Sequence, residues 1–174
     1  MEAAGKLKQT RVQHFMAVAK RGGADILDGK SVGLGDRFQY WLGNLMVYGP
    51  LRNVLGMSRI KVAYTAGAAI GPDLFKFYRS IGINLKQFYG QTETCAYVCM
   101  QPDGAIKFDS VGQPAPGVEI KIAENGEVLV KGPMLLKEYY KRPDATAETI
   151  NGEGWFMTGD AGFLDEDGHL KIID

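Results

Sequence analysis

Gln87-Phe88-Tyr89-Gly90-Gln91-Thr92-Glu93-Thr94 decides how the 174-residue chain is read. The segment leaves an apolar stretch, Asn84 to Tyr89, that reads as a buried strand. It then runs into a glycine, hydroxyls and a carboxylate. An aromatic face, hydroxyl groups and a cation-binding oxygen thus gather at one strand end, and ligands of open α/β sheets collect at the carboxyl ends of strands. The octapeptide alone is equally a strand followed by a capped helix, with Thr92 or Thr94 as N-cap.

Upstream, Ile60-Lys61-Val62-Ala63-Tyr64 reads as another buried strand and enters the small-residue turn Thr65-Ala66-Gly67-Ala68-Ala69. Gly71-Pro72-Asp73 opens a helix through Leu74, Phe75, Phe77, Tyr78 and Ile81, since proline is tolerated in a first turn. Strand, helix and strand in succession are a unit of parallel α/β architecture. Further upstream, apolar spacing predicts a helix over 7–20, with Leu7 to Ala19 on its face and Gly22-Gly23 as its stop. A second helix is expected from Asp36 to Gly56, kinked at Pro50. Trp41, Tyr40 and Tyr48 read as its core.

Downstream of Gly90 the pattern changes to alternation. Val118 to Ile122 and Glu127 to Lys131 flank Asn125-Gly126, a strong hairpin turn. Short strands follow around Trp155-Phe156 and over His169 to Ile173. Residues 1–100 are therefore read as α/β and 101–174 as a β-rich subdomain. Cys95 and Cys99 read as packing residues along a strand, Trp155 as packing beneath the Thr158-Gly159-Asp160 turn, and His14 and His169 as surface or turn residues.

Bulk properties narrow the function classes. Lys+Arg and Asp+Glu both number 20, so the charge balance calls for neither nucleic acid nor an acidic membrane surface. Glycine, 23 residues, is near twice its usual share of about 7%, which points to tight turns or close backbone approach to a ligand. Two cysteines without clustered histidines support neither a zinc site nor a disulfide framework, and no signal-like or membrane-spanning run is present. A soluble protein of the cytoplasm is expected. Two motifs fail on spacing. Gly23 to Gly29-Lys30-Ser31 has five residues between its glycines where a P-loop has four. Asp165-Glu166-Asp167-Gly168 lacks the later ligands of a calcium loop and reads as an acidic turn between strands.

Tyr89-Gly90-Gln91-Thr92-Glu93 resembles the core signature of the adenylate-forming superfamily, most closely its long-chain acyl-CoA synthetase branch. Further blocks stand in the family's order. Thr65 to Pro72 is similar to the adenine loop, and Ser110 to Gly117 to the block that opens a small antiparallel β-barrel-like subdomain. Gly126 to Pro133, Tyr139-Tyr140-Lys141-Arg142-Pro143 and Gly154 to Asp160 continue it. The resemblance implies a parallel αβ-layered subdomain followed by that β-barrel-like one.

It also implies roles. Tyr89 stacks on adenine, between the strand residues Phe88 and Gly90, and Gly67, Ala68 and Gln87 lie along the base edge. Thr92 contacts the α-phosphate, Glu93 holds Mg²⁺ against the phosphates, and Asp160 accepts from both ribose hydroxyls. Thr92 and Glu93 carry the catalytic share. The implied substrates are a carboxylic acid, fatty in this branch, with ATP and coenzyme A; the implied full-length enzyme is compatible with peripheral membrane association. Transfer to a carrier-protein thiol shares every motif, and a non-catalytic nucleotide-binding module is the reading from another class. Ala66 and Phe88 stand where relatives often have glycine, which narrows the adenine loop and the adjoining pocket. Glu138 likewise replaces a glycine before Tyr139-Tyr140. The family's phosphate-clamping loop and lysine-bearing C-terminal domain have no counterpart in these residues, so the sequence reads as the central portion of a longer enzyme.

Overall fold

The structure is a computed structural model that describes residues 2–68 and 70–173, with side chains from residue 8 onward. Ala69 of the adenine-loop block and the Leu7 side chain of the first predicted helix lie outside that description. The chain divides into two compact units, Met1–Ala63 with Ile70–Leu85, and Tyr64–Ala69 with Lys86–Asp174.

The first unit is helical. Helix α1 spans Glu2–Leu27 and runs straight through the expected stop at Gly22-Gly23. The reason is packing. A Cβ at Gly23 would stand 2.1 Å from the Ser80 carbonyl oxygen and 2.9 Å from the Tyr40 ring. The glycine therefore marks a close approach between elements, and tertiary contact overrides its weak helix propensity. Helix α2 (Leu34–Gly43) and helix α3 (Gly49–Val54) flank a π-helical turn over Asn44–Tyr48. Pro50 falls in the first turn of α3, directly after that π turn, with the backbone helical through Tyr48 and Gly49. The irregularity expected at Pro50 is thus a π turn placed just before it. Tyr48 is fully buried, but Trp41 is 58% exposed and stacks on exposed Phe38, so it is not helix core.

Helix α4 (Pro72–Ser80) begins after Gly71, as Gly71-Pro72-Asp73 predicts. Its Arg79 is fully buried and ion-paired to Asp28 beyond the end of α1. Arg79 also donates to the Leu85 carbonyl at 2.7 Å and to Asn84 Oδ1 at 3.3 Å.

Strands β1 (Ala63–Thr65), β2 (Leu85–Tyr89), β3 (Cys99–Met100) and β4 (Gln113–Pro114) form one sheet in that order. The crossover through α4 between neighbouring β1 and β2 is the connection that parallel strands need. β3 and β4 add antiparallel, giving a mixed sheet. β1 is shorter than expected, because Ile60 and Val62 are exposed and precede it.

The second sheet is an antiparallel meander of β5 (Glu119–Ile122), β6 (Glu127–Lys131), β7 (Phe156–Leu164) and β8 (Leu170–Ile173). The β5–β6 hairpin turns at Asn125-Gly126, where Gly126 has φ +87° and the Asn125 side chain accepts from the Glu127 N–H. Val128, Val130, Phe156 and Leu170 from this sheet share one core with Val98, Cys99, Ala115 and Val118. Burial pushes the Cys99 thiol up to about 12, so it packs as an apolar group. A short helix, α5 (Pro143–Thr149), interrupts the expected run of strands.

Asp165 to Gly168 is the turn between β7 and β8. Lys107 sits between its Asp165 and Asp167 carboxylates at 2.6 and 2.7 Å, so a lysine ammonium neutralises the acidic turn. His169 is 1% exposed and bonded through Nδ1 to buried Ser110 Oγ at 2.9 Å, a core residue where a surface or turn residue is expected. This burial was invisible in the sequence because it depends on a partner 59 residues away.

Candidate functional site

The site residues of the second unit come together at the end of β2. Beyond Tyr89 the chain makes one turn of 3₁₀ helix over Thr92–Thr94 and folds back through Cys95 and Ala96, both at positive φ. Gly90 is required there: a Cβ would lie 2.3 Å from the Ala96 backbone. The returning chain closes with Ala96 N–H to Gln91 O (2.9 Å) and Val98 N–H to Tyr89 O (3.1 Å). Gln91, rather than Thr92 or Thr94, is the N-cap. Buried Thr94 closes a capping box by accepting from the Gln91 N–H at 2.9 Å. Thr92 is exposed and Glu93 half-buried.

Asp160 arrives from β7 through a bulge. Glu127 and Leu129, two apart on β6, pair with Ala161 and Met157, four apart on β7. Thr158-Gly159-Asp160 thus stand opposite Val128 alone, with Gly159 at φ +77°. Such a bulge re-aims a side chain out of strand alternation. It is pinned by Gly159 N–H to Glu127 Oε1 (2.9 Å), Thr158 Oγ1 to Val128 O (2.7 Å) and Asp160 N–H to Thr158 Oγ1 (3.1 Å).

The result joins residues about 70 apart in sequence. Tyr89 Oη donates to Asp160 Oδ2 at 2.5 Å, and Gln91 Nε2 donates to the same oxygen at 2.9 Å and to Thr158 O at 3.0 Å. Both bonds converge on Oδ2, which leaves Oδ1 as an acceptor to spare among the described residues. Burial first, and the bond to Asp160 second, push the Tyr89 hydroxyl well above the usual tyrosine range, so it stays a neutral donor. Glu93 is gripped in the same way from another side. Tyr139 Oη donates to Glu93 Oε1 at 2.8 Å, and the Leu136 N–H donates to the Glu93 carbonyl at 2.7 Å.

Other predicted residues fall nearby with different partners. The Gln87 amide donates to the carbonyls of Phe108 (3.3 Å) and Ser110 (3.2 Å), and its N–H to Gln101 Oε1 (2.8 Å). Phe88 meets Tyr64 edge-on, with centroids 6.0 Å apart. Gly67, at φ +82°, and Ala68 are exposed, and nothing lies within 4 Å of a Cβ built at Gly67. Trp155 lies under the Lys131 ammonium, 5.7 Å from its ring centre. Sequence reasoning assigned no role to Gln91 and Tyr139, although both stand inside quoted motifs. Their value lies in what they touch, which no local pattern encodes.

Two half-exposed carboxylates, each held by a tyrosine hydroxyl, offer acceptors for hydroxyl donors and a hard oxygen for a divalent cation. The AMP-binding enzyme model matches residues 6–140. The chain belongs to the AMP-binding enzyme family. Within it, the chain is 39% identical over 127 residues to a long-chain-fatty-acid–CoA ligase of Mycobacterium bovis, covering 73% of this chain and 21% of that protein. It is 32% identical over 136 residues to a chloroplastic long-chain-fatty-acid–[acyl-carrier-protein] ligase of Arabidopsis thaliana, covering 72% and 18%. Among solved structures of the AMP-binding family, it resembles O-succinylbenzoate coenzyme A synthetase of Bacillus subtilis in complex with AMP. That match has 30% identity and a TM-score of 0.60, covering 71% of this chain and 29% of that one. The chain thus spans about a fifth of the length of the two curated relatives. Among the described residues, no helix is long and apolar enough to cross a membrane.

Proposed function

We propose that this chain supplies the AMP-binding face of an ATP-dependent acid–thiol ligase acting on a carboxylic acid of the fatty class. The observation that carries the reading is the convergence of Tyr89 and Gln91 on Asp160 at the carboxyl end of β2. In this reading Asp160 accepts from the ribose hydroxyls, since an ionised carboxylate is acceptor-only and suits two vicinal donors. Tyr89 offers its ring to adenine, with Phe88 and Gly90 shaping the strand end. In this reading the exposed loop at Gly67 and Ala68 borders the base, as does Gln87. Thr92, exposed on its 3₁₀ turn, donates to the α-phosphate.

Mg²⁺ belongs to the reading as well. The donor set fits it: one half-buried carboxylate, Glu93, beside a hydroxyl, for an ion that keeps waters and is held largely through substrate phosphates. When bound, the cation neutralises charge on the phosphates as the substrate carboxylate attacks the α-phosphorus and pyrophosphate leaves. Thr92 and Glu93 contribute by holding that group in line, which is positioning plus electrostatics. The acyl group then passes to the sulfur of coenzyme A, and AMP departs. Free cysteines Cys95 and Cys99 agree with the cytoplasm as the compartment.

The test is isotopic exchange of pyrophosphate into ATP by the full-length protein over a panel of carboxylic acids, followed by coenzyme A or a carrier-protein thiol. Exchange dependent on a fatty acid, with product on coenzyme A, is expected. Product on the carrier protein alone replaces the acceptor. AMP binding without exchange for any acid leaves the nucleotide-binding module as the function.

A further inference from the structure

Glu93 is the one carboxylate on the Thr92–Thr94 turn, and the turn is fixed on both sides. The capping box between Gln91 and Thr94 closes it from within. From outside, the segment Leu136 to Tyr139 takes the Glu93 carbonyl through the Leu136 N–H and the Glu93 side chain through the Tyr139 hydroxyl. Tyr139 is in turn seated by the start of α5. Its N–H donates to Thr146 Oγ1 at 2.9 Å, the Arg142 N–H donates to its carbonyl at 3.0 Å, and Thr146 Oγ1 donates to the Arg142 carbonyl at 2.9 Å.

We infer that Tyr139 is a positioning residue for Glu93, holding Oε1 so that Oε2 is presented to a divalent cation carried by a nucleotide. The inference rests on the nucleotide-binding reading above. Several features make the contact more than a surface bond. A free glutamate on an exposed turn samples several rotamers, and ordering a glutamate side chain costs conformational entropy. A hydroxyl is a donor that fixes one oxygen without cancelling the carboxylate charge, as a lysine would. Among the described residues Glu93 Oε2 has no partner, so the oxygen that Tyr139 leaves free is the one available to a ligand.

The geometry also accounts for a neighbour that does nothing similar. Tyr140 is 82% exposed and faces the Lys141 ammonium, 5.2 Å from its ring centre. Of the adjacent tyrosines, only Tyr139 reaches the carboxylate, so the pair serves as its own control.

The experiment uses the full-length protein with Tyr139→Phe, Tyr140→Phe, Glu93→Gln and the double variant Tyr139→Phe/Glu93→Gln. Binding of Mn²⁺–ATP is read from the electron paramagnetic resonance of the metal, and binding of AMP in chelator from fluorescence. Tyr139→Phe should weaken Mn²⁺–ATP binding on the order of tenfold, one hydrogen bond to a charged group. It should leave metal-free AMP binding within about twofold, which also certifies the fold. Tyr140→Phe should match wild type. The double variant should bind Mn²⁺–ATP no more weakly than Glu93→Gln, because the two residues act through one oxygen pair. Wild-type Mn²⁺–ATP affinity in Tyr139→Phe, or a loss of metal-free AMP binding equal to its metal-dependent loss, overturns the inference. Additive losses in the double variant do so too. Failure of the wild-type protein to bind AMP in chelator overturns the nucleotide reading itself, a separate result.

Discussion

Asp28 in the helical unit and the pair Glu93 and Asp160 in the β-rich unit are all ordered carboxylates, yet they are held in opposite ways. Asp28 is 12% exposed and paired to Arg79, which is wholly buried and spends further donors on Asn84 and Leu85. Its charge is cancelled. Glu93 and Asp160 meet only neutral donors among the described residues, tyrosine hydroxyls and a glutamine amide. No cation is paired with either, and each keeps one oxygen without a partner among the described residues. A carboxylate neutralised by a buried arginine is committed to the fold, whereas one steadied by neutral hydroxyls remains free to meet a ligand.

The largest expected effect breaks the first half of that contrast. Asp28→Ala would leave the Arg79 guanidinium buried without its counter-ion, which costs about 3–5 kcal/mol. Urea unfolding should report that loss, while AMP affinity of the folded protein stays within about twofold. A variant as stable as wild type would remove Asp28 from the structural class.

Glu93→Gln probes the other half. It keeps shape and removes charge, so stability should change by less than about 1 kcal/mol, as for a surface substitution. Acyl-adenylate formation in the first turnover should fall about 10²-fold, as when one electrostatic stabiliser is lost. Excess Mg²⁺ should recover part of the rate by mass action. Rates equal to wild type across a Mg²⁺ series would move Glu93 into the class of Asp28.

Tyr89→Phe sharpens the comparison with the smallest effect. The ring stays, and only the donor to Asp160 is lost, which costs about 1.5 kcal/mol of folding stability, the low end for a bond to a charged group. Burial, and then the bond to Asp160, make the Tyr89 hydroxyl a weaker acid than an ordinary tyrosine. A group whose pKa is raised in this way contributes fully below its unfolded value and is lost only above it, so the wild-type to Phe difference should be flat from pH 6 to pH 9. A difference that disappears within that range would show that the hydroxyl ionises and is not the donor described.

Legibility in the sequence followed locality. The β5–β6 hairpin was readable because Asn125-Gly126 and the flanking alternation encode it within a dozen residues. The crossover through α4 was readable because Gly71-Pro72-Asp73 announces its start. At the candidate site, Tyr89, Glu93 and Asp160 are singled out by the resemblance of their motifs to a family pattern, and Gly90 meets a local demand, since a Cβ there would lie 2.3 Å from the Ala96 backbone. What escaped was long-range. Gly23 reads as a helix stop because its reason, the Ser80 carbonyl, lies far along the chain. His169 reads as a surface or turn residue because the partner that buries it, Ser110, is far away in sequence. Trp41 reads as core from periodicity alone, which gives the apolar face of a helix but not whether anything covers it. Gln91 and Tyr139 were passed over because neither residue type signals that it will orient a distant carboxylate.

The central claim is that Asp160, aimed by its bulge and steadied by Tyr89 and Gln91, binds the ribose of a bound nucleotide. Calorimetric titration of the full-length protein and its Asp160→Ala variant with AMP and with 2′,3′-dideoxy-AMP tests it most directly. Wild type should prefer AMP by roughly 1.5–3 kcal/mol, the range for hydrogen bonds to a charged group, and Asp160→Ala should lose that preference without losing the dideoxy ligand. Equal binding of the two nucleotides by wild type, or a preference that persists in Asp160→Ala, would contradict it.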